Sequence, residues 1–534
     1  MPTTRMTGGA ALVEMLRRHG IDTLFALPGV QNDALFVALY DAGEAIRVIH
    51  TRHEQAAAYM ALGYARATGK PGAFAVVPGP GLLNTTAALA TAYATNAPVL
   101  CVSGQIPSDL IGRGFGLLHE IPDQLAILKG LTKWAARISH PSETGKLVNE
   151  AFRQLADGRP RPVALEMPLD VMAREYAVSL PAPGEAPTPP EPDPDLIAAA
   201  AKALSGAKAP LIYVGSGAME AGAEILALAE RLQAPVVTYT GGKGVVSDRH
   251  YLAQNLLAGH ELWKSADVVL AIGTRLNQPQ TRWGIDANLK LIRVDLDPVE
   301  ITRIVRPAIG IVADAKEAAA ALLAAVTGGP ARPSRKDELD ALRAKTAATL
   351  AEKLGPQCEY LAAIRAELPD NGIYVEDLTQ VGYVGRLGFP VYEPRSYIHS
   401  GYQGTLGYSY ATALGAKVAK PDVPVVSISG DGGFMYNVQE LSTAALFGID
   451  AVAVVFADGA YGNVRRMQKM DYGNRLIATE LQNPNFPKPT ATALPASRRP
   501  APTACARSLT PHSSARGRAS SRSRSARCPT RGQR

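Results

Sequence analysis

Residues 428–462 read ISGDGGFMYNVQELSTAALFGIDAVAVVFADGAYG, and their reading decides the fold. The apolar run Val425–Ile428 ends at Gly430-Asp431-Gly432, the pattern of a buried parallel strand that turns tightly into a helix. Gly430 and Gly432, with Gly433 beside them, let the backbone approach a bulky anionic group. Asp431 offers a carboxylate at the carboxyl edge of the sheet, where open α/β sheets bind ligands. A helix is expected over Asn437–Phe447, and a second apolar strand, Ala451–Phe456, ends in Ala457-Asp458-Gly459-Ala460. Asp431 and Asp458 stand 27 positions apart, one at each strand tip, so a parallel sheet lets them converge. Two carboxylates and a free backbone carbonyl suit a Mg²⁺ that shares its site with a diphosphate, because Mg²⁺ prefers hard oxygen ligands. For a lone Gly-Asp-Gly the plain alternative is an ordinary strand-turn-helix with a surface Asp.

The same grammar runs upstream. Thr23–Leu27 stops at Pro28-Gly29, and Ile46–Ile49 leads to His53-Glu54-Gln55 and a small-residue helix over Ala56–Thr68. Gly72–Val77 ends in Pro78-Gly79-Pro80-Gly81, and Val99–Ser103 leads to Gly104-Gln105. Regular alternation of strand and helix means a parallel sheet covered on both faces. A Pro-rich stretch at 181–195 marks a linker. Residues 196–328 repeat the pattern, with strand-like runs ending at Gly215-Ser216-Gly217, Gly241-Gly242-Lys243-Gly244, Gly273-Thr274-Arg275 and Asp295-Leu296-Asp297. Such Gly turns are weak evidence for a nucleotide. A helical connector is expected over 329–356, then a third segment, 357–486, containing the strand Ile373–Val375 and the turn Gly401–Gly407. The expected fold is α/β: an N-terminal domain over 1–180, a central Rossmann-like domain and a C-terminal domain, each a doubly wound parallel sheet.

Taken together, these motifs resemble thiamine-diphosphate-dependent enzymes of the acetolactate synthase and benzoylformate decarboxylase-like superfamily, large-subunit type. The family signature is Gly-Asp-Gly followed, some two dozen residues on, by Asn-Asn or Asn-Asp; here the pair is Ala457-Asp458, which keeps the metal-ligating second member. The stretch RHEQAAAYMALGYARATGKPG at 52–72, with Asn84 and Gln105, matches the segment that carries the catalytic Glu. The resemblance implies that the N-terminal domain binds the cofactor's pyrimidine and the C-terminal domain its diphosphate. Asp431, Asp458 and the Ala460 carbonyl would hold Mg²⁺. Pro28, Gly29, Asn84, Gly404, Leu406, Gly430, Gly432, Gly433, Tyr461 and Gly462 would complete the cofactor site, with Leu406 as the apolar prop that bends it. Glu54 would share a proton with the pyrimidine ring, work that needs a carboxyl shielded from water; as a lone residue it would read as a first-turn Glu favoured by the helix dipole.

Gln105 and His119 would join Glu54 as catalytic residues. His119, in the Gly-rich loop 112–124, stands where acetolactate synthases carry a Gln; it could move protons near neutral pH, or be a surface His. The implied reaction is decarboxylation of a 2-oxo acid followed by transfer to a carbonyl acceptor, or release of an aldehyde. The implied assembly is a homodimer or homotetramer with sites at the subunit interface. FAD occupies the middle domain in acetolactate synthases; here the broadly shared Gly turns favour a structural domain over an FAD site.

Composition sets the remaining bounds. The chain has 534 residues, 47% hydrophobic, and no run of 18 apolar residues, so no membrane span is expected. The start reads as a capped helix, with Thr7 as cap, rather than a signal peptide, and four Cys without paired spacing suit a reducing cytoplasm. The net charge of +7 misleads: eleven of the 55 basic residues and none of the 48 acidic ones follow Glu480. The remaining 44 basic and 48 acidic residues leave a slightly acidic body, and a nucleic-acid partner is not indicated. Residues 487–534 are rich in Pro, Ser, Ala and Arg, without helix or strand period, and read as a disordered basic tail. A frameshift near Pro487 would explain this change of character, and an impaired cofactor-binding remnant is then the alternative to an active enzyme.

Overall fold

The computed structural model describes residues 3–326 and 332–486; the expected tail at 487–534 lies outside them. Three parallel sheets carry the chain. The first has six strands in the order Arg47–His50, Thr23–Ala26, Gly72–Val76, Val99–Gln105, Val163–Pro168 and Trp134–Arg137. Its central strands are buried throughout, which explains their unbroken apolar runs. Two of its strands, Trp134–Arg137 and Val163–Pro168, were not foreseen from the sequence. Nor was the antiparallel pair Thr3–Thr7 with Glu175–Ser179. Thr7 does cap the first helix, Gly8–Arg18: its Oγ1 accepts the Ala10 N–H at 3.1 Å.

No helix or strand interrupts residues 180–193. The central sheet then runs Ala253–Gln254, Val236–Thr238, Pro210–Val214, Val268–Ile272, Lys290–Asp295 and Ile309–Val312. In chain order this is 3-2-1-4-5-6, the doubly wound dinucleotide-fold order, with its switch point between Pro210–Val214 and Val268–Ile272. The third sheet has four strands, Tyr397–Ile398, Ile373–Val375, Val425–Gly430 and Val452–Phe456. Among the described residues Val452–Phe456 is an edge strand, and its five apolar side chains are only half-buried.

The first and third sheets share a core. Helix Ser409–Ala419 lies on helix Glu54–Thr68 so closely that a Cβ on Gly63 would stand 1.9 Å from the Thr412 carbonyl oxygen. A Cβ on Gly415 would stand 1.9 Å from the Met60 oxygen. Small residues on both helices let the backbones touch, and this contact fixes the helix that begins with Glu54 against the C-terminal sheet.

Two expected elements differ. The single helix over Asn437–Phe447 is instead a 3₁₀ turn Val438–Glu440 and a helix Leu441–Phe447, preceded by a separate short helix Asp431–Phe434. Side chains draw this segment away from a continuous helix: Asn437 donates to the Gly407 carbonyl at 2.7 Å, and buried Glu440 accepts the Arg52 N–H at 3.1 and 3.2 Å. The helical connector does not stop at 356. It runs Lys336–Glu367 with a break at Leu354 (φ −138°, ψ 38°), just ahead of Pro356, which lacks the helical N–H. Among the described residues no helix is long and apolar enough to cross a membrane.

Candidate active site

The C-terminal part of the candidate site forms where two parallel strands end together. Asp431, 1% exposed, opens its short helix and accepts three hydrogen bonds. They come from its own neighbour Gly432 N–H at 3.0 Å, from Gly459 N–H at 2.8 Å, and from Asn483 Nδ2 at 2.7 Å. The Gly459 bond ties the tip of Val425–Gly430 to the loop after Val452–Phe456, so Asp431 and the Asp458–Ala460 turn meet. Asp458 itself is exposed and Ala460 buried. Residues 459–461 pair antiparallel with 479–481 through Tyr461 N–H to Thr479 O and Leu481 N–H to Gly459 O, both 2.8 Å. Close packing requires glycine here: a Cβ on Gly462 would lie 2.9 Å from Asp458 Oδ2, and one on Gly432 2.7 Å from the Tyr461 ring.

Leu406 is half-buried, and its Cδ1 lies 3.2 Å from the Cβ position of Gly433. Gly404 (φ +57°) and Gly407 (φ +80°) take left-handed backbone on either side of it, and a Cβ on Gly407 would stand 2.6 Å from the Gly433 carbonyl. Thr405 Oγ1 meets Thr91 Oγ1 of the N-terminal domain at 2.9 Å.

In the N-terminal part of the candidate site, His53 caps the helix that Glu54 begins, its Nδ1 accepting the Gln55 N–H at 3.2 Å. Asn84 Nδ2 donates to Glu54 Oε2 at 2.9 Å, so two residues far apart in the expected motif are in contact. Gly29, Val77 and Gly81 build the adjoining wall: a Cβ on Gly29 or on Gly81 would collide with Val77 at 2.6 Å, and Gly81 faces Glu54 Oε1. Pro28 is exposed beside them. The hydrogen bonds of Glu54 and Asn84 stay within the N-terminal domain, and those of Asp431 within the C-terminal one.

The loop 112–124 returns over this wall. His119 holds a left-handed backbone (φ +69°), its carbonyl packs against Gly79, and its buried Nδ1 has no hydrogen-bond partner. Gln105 turns inward: its Oε1 accepts the Ile106 N–H at 2.8 Å and its Nε2 faces Glu166 at 3.4 Å. Glu166 is fully buried, ion-paired with Arg137 and bonded by Gln124 at 2.9 Å, while Gln124 also accepts the Gly79 N–H at 3.1 Å. Sequence reasoning missed Glu166; the signal available was a charge inside the apolar strand VALEMP. It also missed Asp377, buried beneath Leu406 and Gly407, where Ser409 Oγ donates to it at 2.8 Å. Burial pushes the Asp377 carboxyl up to about 6.

These residues fit a bent, diphosphate-bearing cofactor. Gly29, Gly81, Gly407 and Gly432 stand where a Cβ would meet neighbouring atoms within 3 Å, Leu406 stands over Gly433, and buried Asn437 Oδ1 has no hydrogen-bond partner beside Gly407. The oxygen donor set suits Mg²⁺. Among the described residues no group of three His, Cys, Asp or Glu side chains is arranged to hold a metal ion, so a metal held here would draw on backbone, water and phosphate oxygens as well.

Comparison with known proteins agrees with this geometry. Family models described as thiamine pyrophosphate enzyme match in three parts: the N-terminal TPP binding domain at residues 6–127, the central domain at 197–322 and the C-terminal TPP binding domain at 377–496. A probable 2-ketoarginine decarboxylase AruI of Pseudomonas aeruginosa is 36% identical, over 87% of this chain and 84% of its own length. A probable acetolactate synthase large subunit of Methanocaldococcus jannaschii is 35% identical, over 90% and 85%. The acetolactate synthase isozyme 1 large subunit of Escherichia coli (strain K12) is 30% identical, over 89% and 85%.

Proposed function

The chain belongs to the thiamine pyrophosphate enzymes, of the acetolactate-synthase-like type, and on that premise we propose that it is a Mg²⁺-dependent decarboxylase and carboligase of 2-oxo acids. Thiamine diphosphate, when bound, supplies a carbon nucleophile for the 2-oxo carbonyl and a sink for the electron pair left as CO₂ departs. Glu54 would exchange a proton with the pyrimidine ring, and Asn84 holds its Oε2 in place. Asp431, Asp458 and the Ala460 carbonyl would hold Mg²⁺ beside the diphosphate, and Leu406 would support the bent cofactor. His119 moves protons at the substrate end, a role that its unpaired Nδ1 supports. Gln105, engaged by Glu166, positions this wall rather than the substrate. The observation that carries the reading is the Gly459 N–H bond to Asp431, which brings the two strand tips of the metal motif together.

Calorimetric titration with thiamine diphosphate and Mg²⁺, beside CO₂ release by wild type and Glu54→Gln, tests it. Wild type binds and turns over. The variant loses about 10²–10⁴-fold in turnover, the range for a general acid–base residue. Wild-type protein that binds no cofactor would overturn the reading.

A second reading, decarboxylation of a longer, cationic 2-oxo acid without carboligation, is favoured by the likeness to the probable 2-ketoarginine decarboxylase. Product analysis separates the two: acetolactate from pyruvate supports the first, an aldehyde from 2-ketoarginine the second.

The separation of the Glu54 and Asp431 bonds into different domains supports a site completed by a second subunit, in a homodimer or tetramer. Co-expressed Glu54→Gln and Asp431→Asn chains would then regain activity, because one interface of the hybrid keeps both wild-type residues. A site within one chain would gain nothing.

A further inference from the structure

The helix that carries Glu54 is held at its start by a residue of another domain. The chain enters it from the strand Arg47–His50 through Thr51-Arg52-His53. Within that turn Thr51 Oγ1 donates to the His53 carbonyl at 2.8 Å, and His53 caps the helix. Those contacts are local. The distant one comes from Glu440, 388 positions away, whose two carboxylate oxygens accept the Arg52 N–H at 3.1 and 3.2 Å. The packing of Gly63 and Gly415 fixes the body of this helix, and Glu440 fixes its entry.

Glu440 is fully buried. Its partners are Thr443 Oγ1 at 2.5 Å, the Arg52 and His53 N–H groups, and the nearby His53 ring. Burial raises its carboxyl above the usual range, so the charged form is costly there and neutral donors offset only part of that cost. What the carboxylate supplies is placement. Neighbouring N–H groups aimed at one anion fix the backbone direction into the helix, and a negative charge ahead of the first turn suits the helix dipole. Glu440 is itself held from both sides. Asn437, three residues earlier, donates to the Gly407 carbonyl at 2.7 Å, and Phe447, seven residues later, meets the His50 ring with centroids 5.1 Å apart. The segment 437–447 thus joins the Leu406 turn to the start of the Glu54 helix within one chain.

We propose that Glu440 is a positioning residue for Glu54: by holding the Arg52 N–H it sets where the Glu54 carboxyl stands, and it acts through Glu54 rather than on the cofactor. This rests on the reading of Glu54 as the proton-exchanging carboxyl. Asn84 fixes the Glu54 side chain from within the N-terminal domain, and Glu440 fixes the backbone beneath it from the C-terminal one.

Two measurements on the full chain test the assignment. The first needs no cofactor: amide hydrogen exchange, read by mass spectrometry on peptides covering residues 51–57 and 409–419. Glu440→Gln keeps the size but replaces one accepting oxygen by a donor. Exchange at 51–57 rises at least about tenfold, the loss of one hydrogen bond to a charged group, while 409–419 is unchanged. The second is CO₂ release in a double-mutant cycle. Glu440→Gln lowers kcat about 10²-fold, the effect of misplacing a reacting group by about 1 Å, and leaves KM as it was. In a Glu54→Gln background it lowers kcat by no more than about twofold, because the residue it acts through is already gone. Should Glu440→Gln fail to fold, Glu440→Asp carries both measurements: it keeps the charge and shortens the reach, with the same rise in exchange and the same dependence on Glu54. Unchanged exchange at 51–57, or an equal loss of kcat with and without the Glu54 carboxyl, would overturn the proposal. A Glu54→Gln chain that turns over like wild type would overturn it through the reading it rests on, and raised exchange at 51–57 would then show that the failure lies in the role of Glu54 and not in the hold of Glu440.

Discussion

Gly215-Ser216-Gly217 and Gly430-Asp431-Gly432 are turns of one kind, each following an apolar parallel strand. The structure gives them different electrostatics. Around the central turn the carboxylates Asp295 and Glu300 are bound to Arg159. At the C-terminal turn the middle residue is itself a buried carboxylate, served among the described residues by N–H donors and no cation. The same strand-turn grammar therefore leaves a buried carboxylate served by N–H donors at one turn and buried carboxylates bound by an arginine at the other.

The largest expected effect breaks the C-terminal half of that contrast. Asp431→Asn keeps size and donors but removes the charge. Altering groups one step removed from a metal already costs about 10–100-fold in affinity or activity, so a direct ligand should cost at least about 100-fold. Titration of Mg²⁺ at fixed thiamine diphosphate measures it, and an unchanged affinity would remove Asp431 from the metal site.

Much of this was legible in the sequence because it is local. The Gly-Asp-Gly turn, the 27-residue spacing to Asp458, and the apolar strands before both are contiguous patterns, and the parallel sheet follows from them. What escaped depends on packing. Glu166 and Arg137 find each other across two strands that no turn signal announces, and Asp377 gains its environment only when Gly407 and Ser409 close over it. The helix expected over Asn437–Phe447 fails for the same reason, since Asn437 and Glu440 are engaged by residues distant in the chain.

Arg159→Ala strikes the central half of the contrast. It would strand Asp295, 5% exposed, and leave Glu300, 2% exposed, with Arg303 as its remaining cation. Burial raises the Glu300 carboxyl, and Arg303 and Arg159 more than reverse this, so its net position is below the usual range. Breaking such a buried pair costs about 3–5 kcal/mol. Denaturant unfolding should register that loss, and because Arg159 joins the N-terminal to the central domain, the two should then unfold less cooperatively. A loss below about 1 kcal/mol would mean that water serves the stranded carboxylate.

The smallest effect sharpens the comparison through Asp377, a carboxylate behind the C-terminal cradle that has neutral donors where Asp295 has Arg159. Its usual value is 3.8 and its folded value about 6, raised by burial. Between those pH values the folded chain holds a proton that the unfolded chain has released. The stabilising contribution is thus fully present below about pH 4, falls as pH rises through 6 and is lost above it. The span corresponds to on the order of 2–3 kcal/mol. Asp377→Asn has no proton to lose, so the wild-type stability curve minus the variant's should fall by that amount between pH 4 and 7, with all other titrations cancelling. A flat difference would mean that Asp377 is as well served in the folded chain as in water, and that neutral donors alone can hold a buried carboxylate where the central domain employs an arginine.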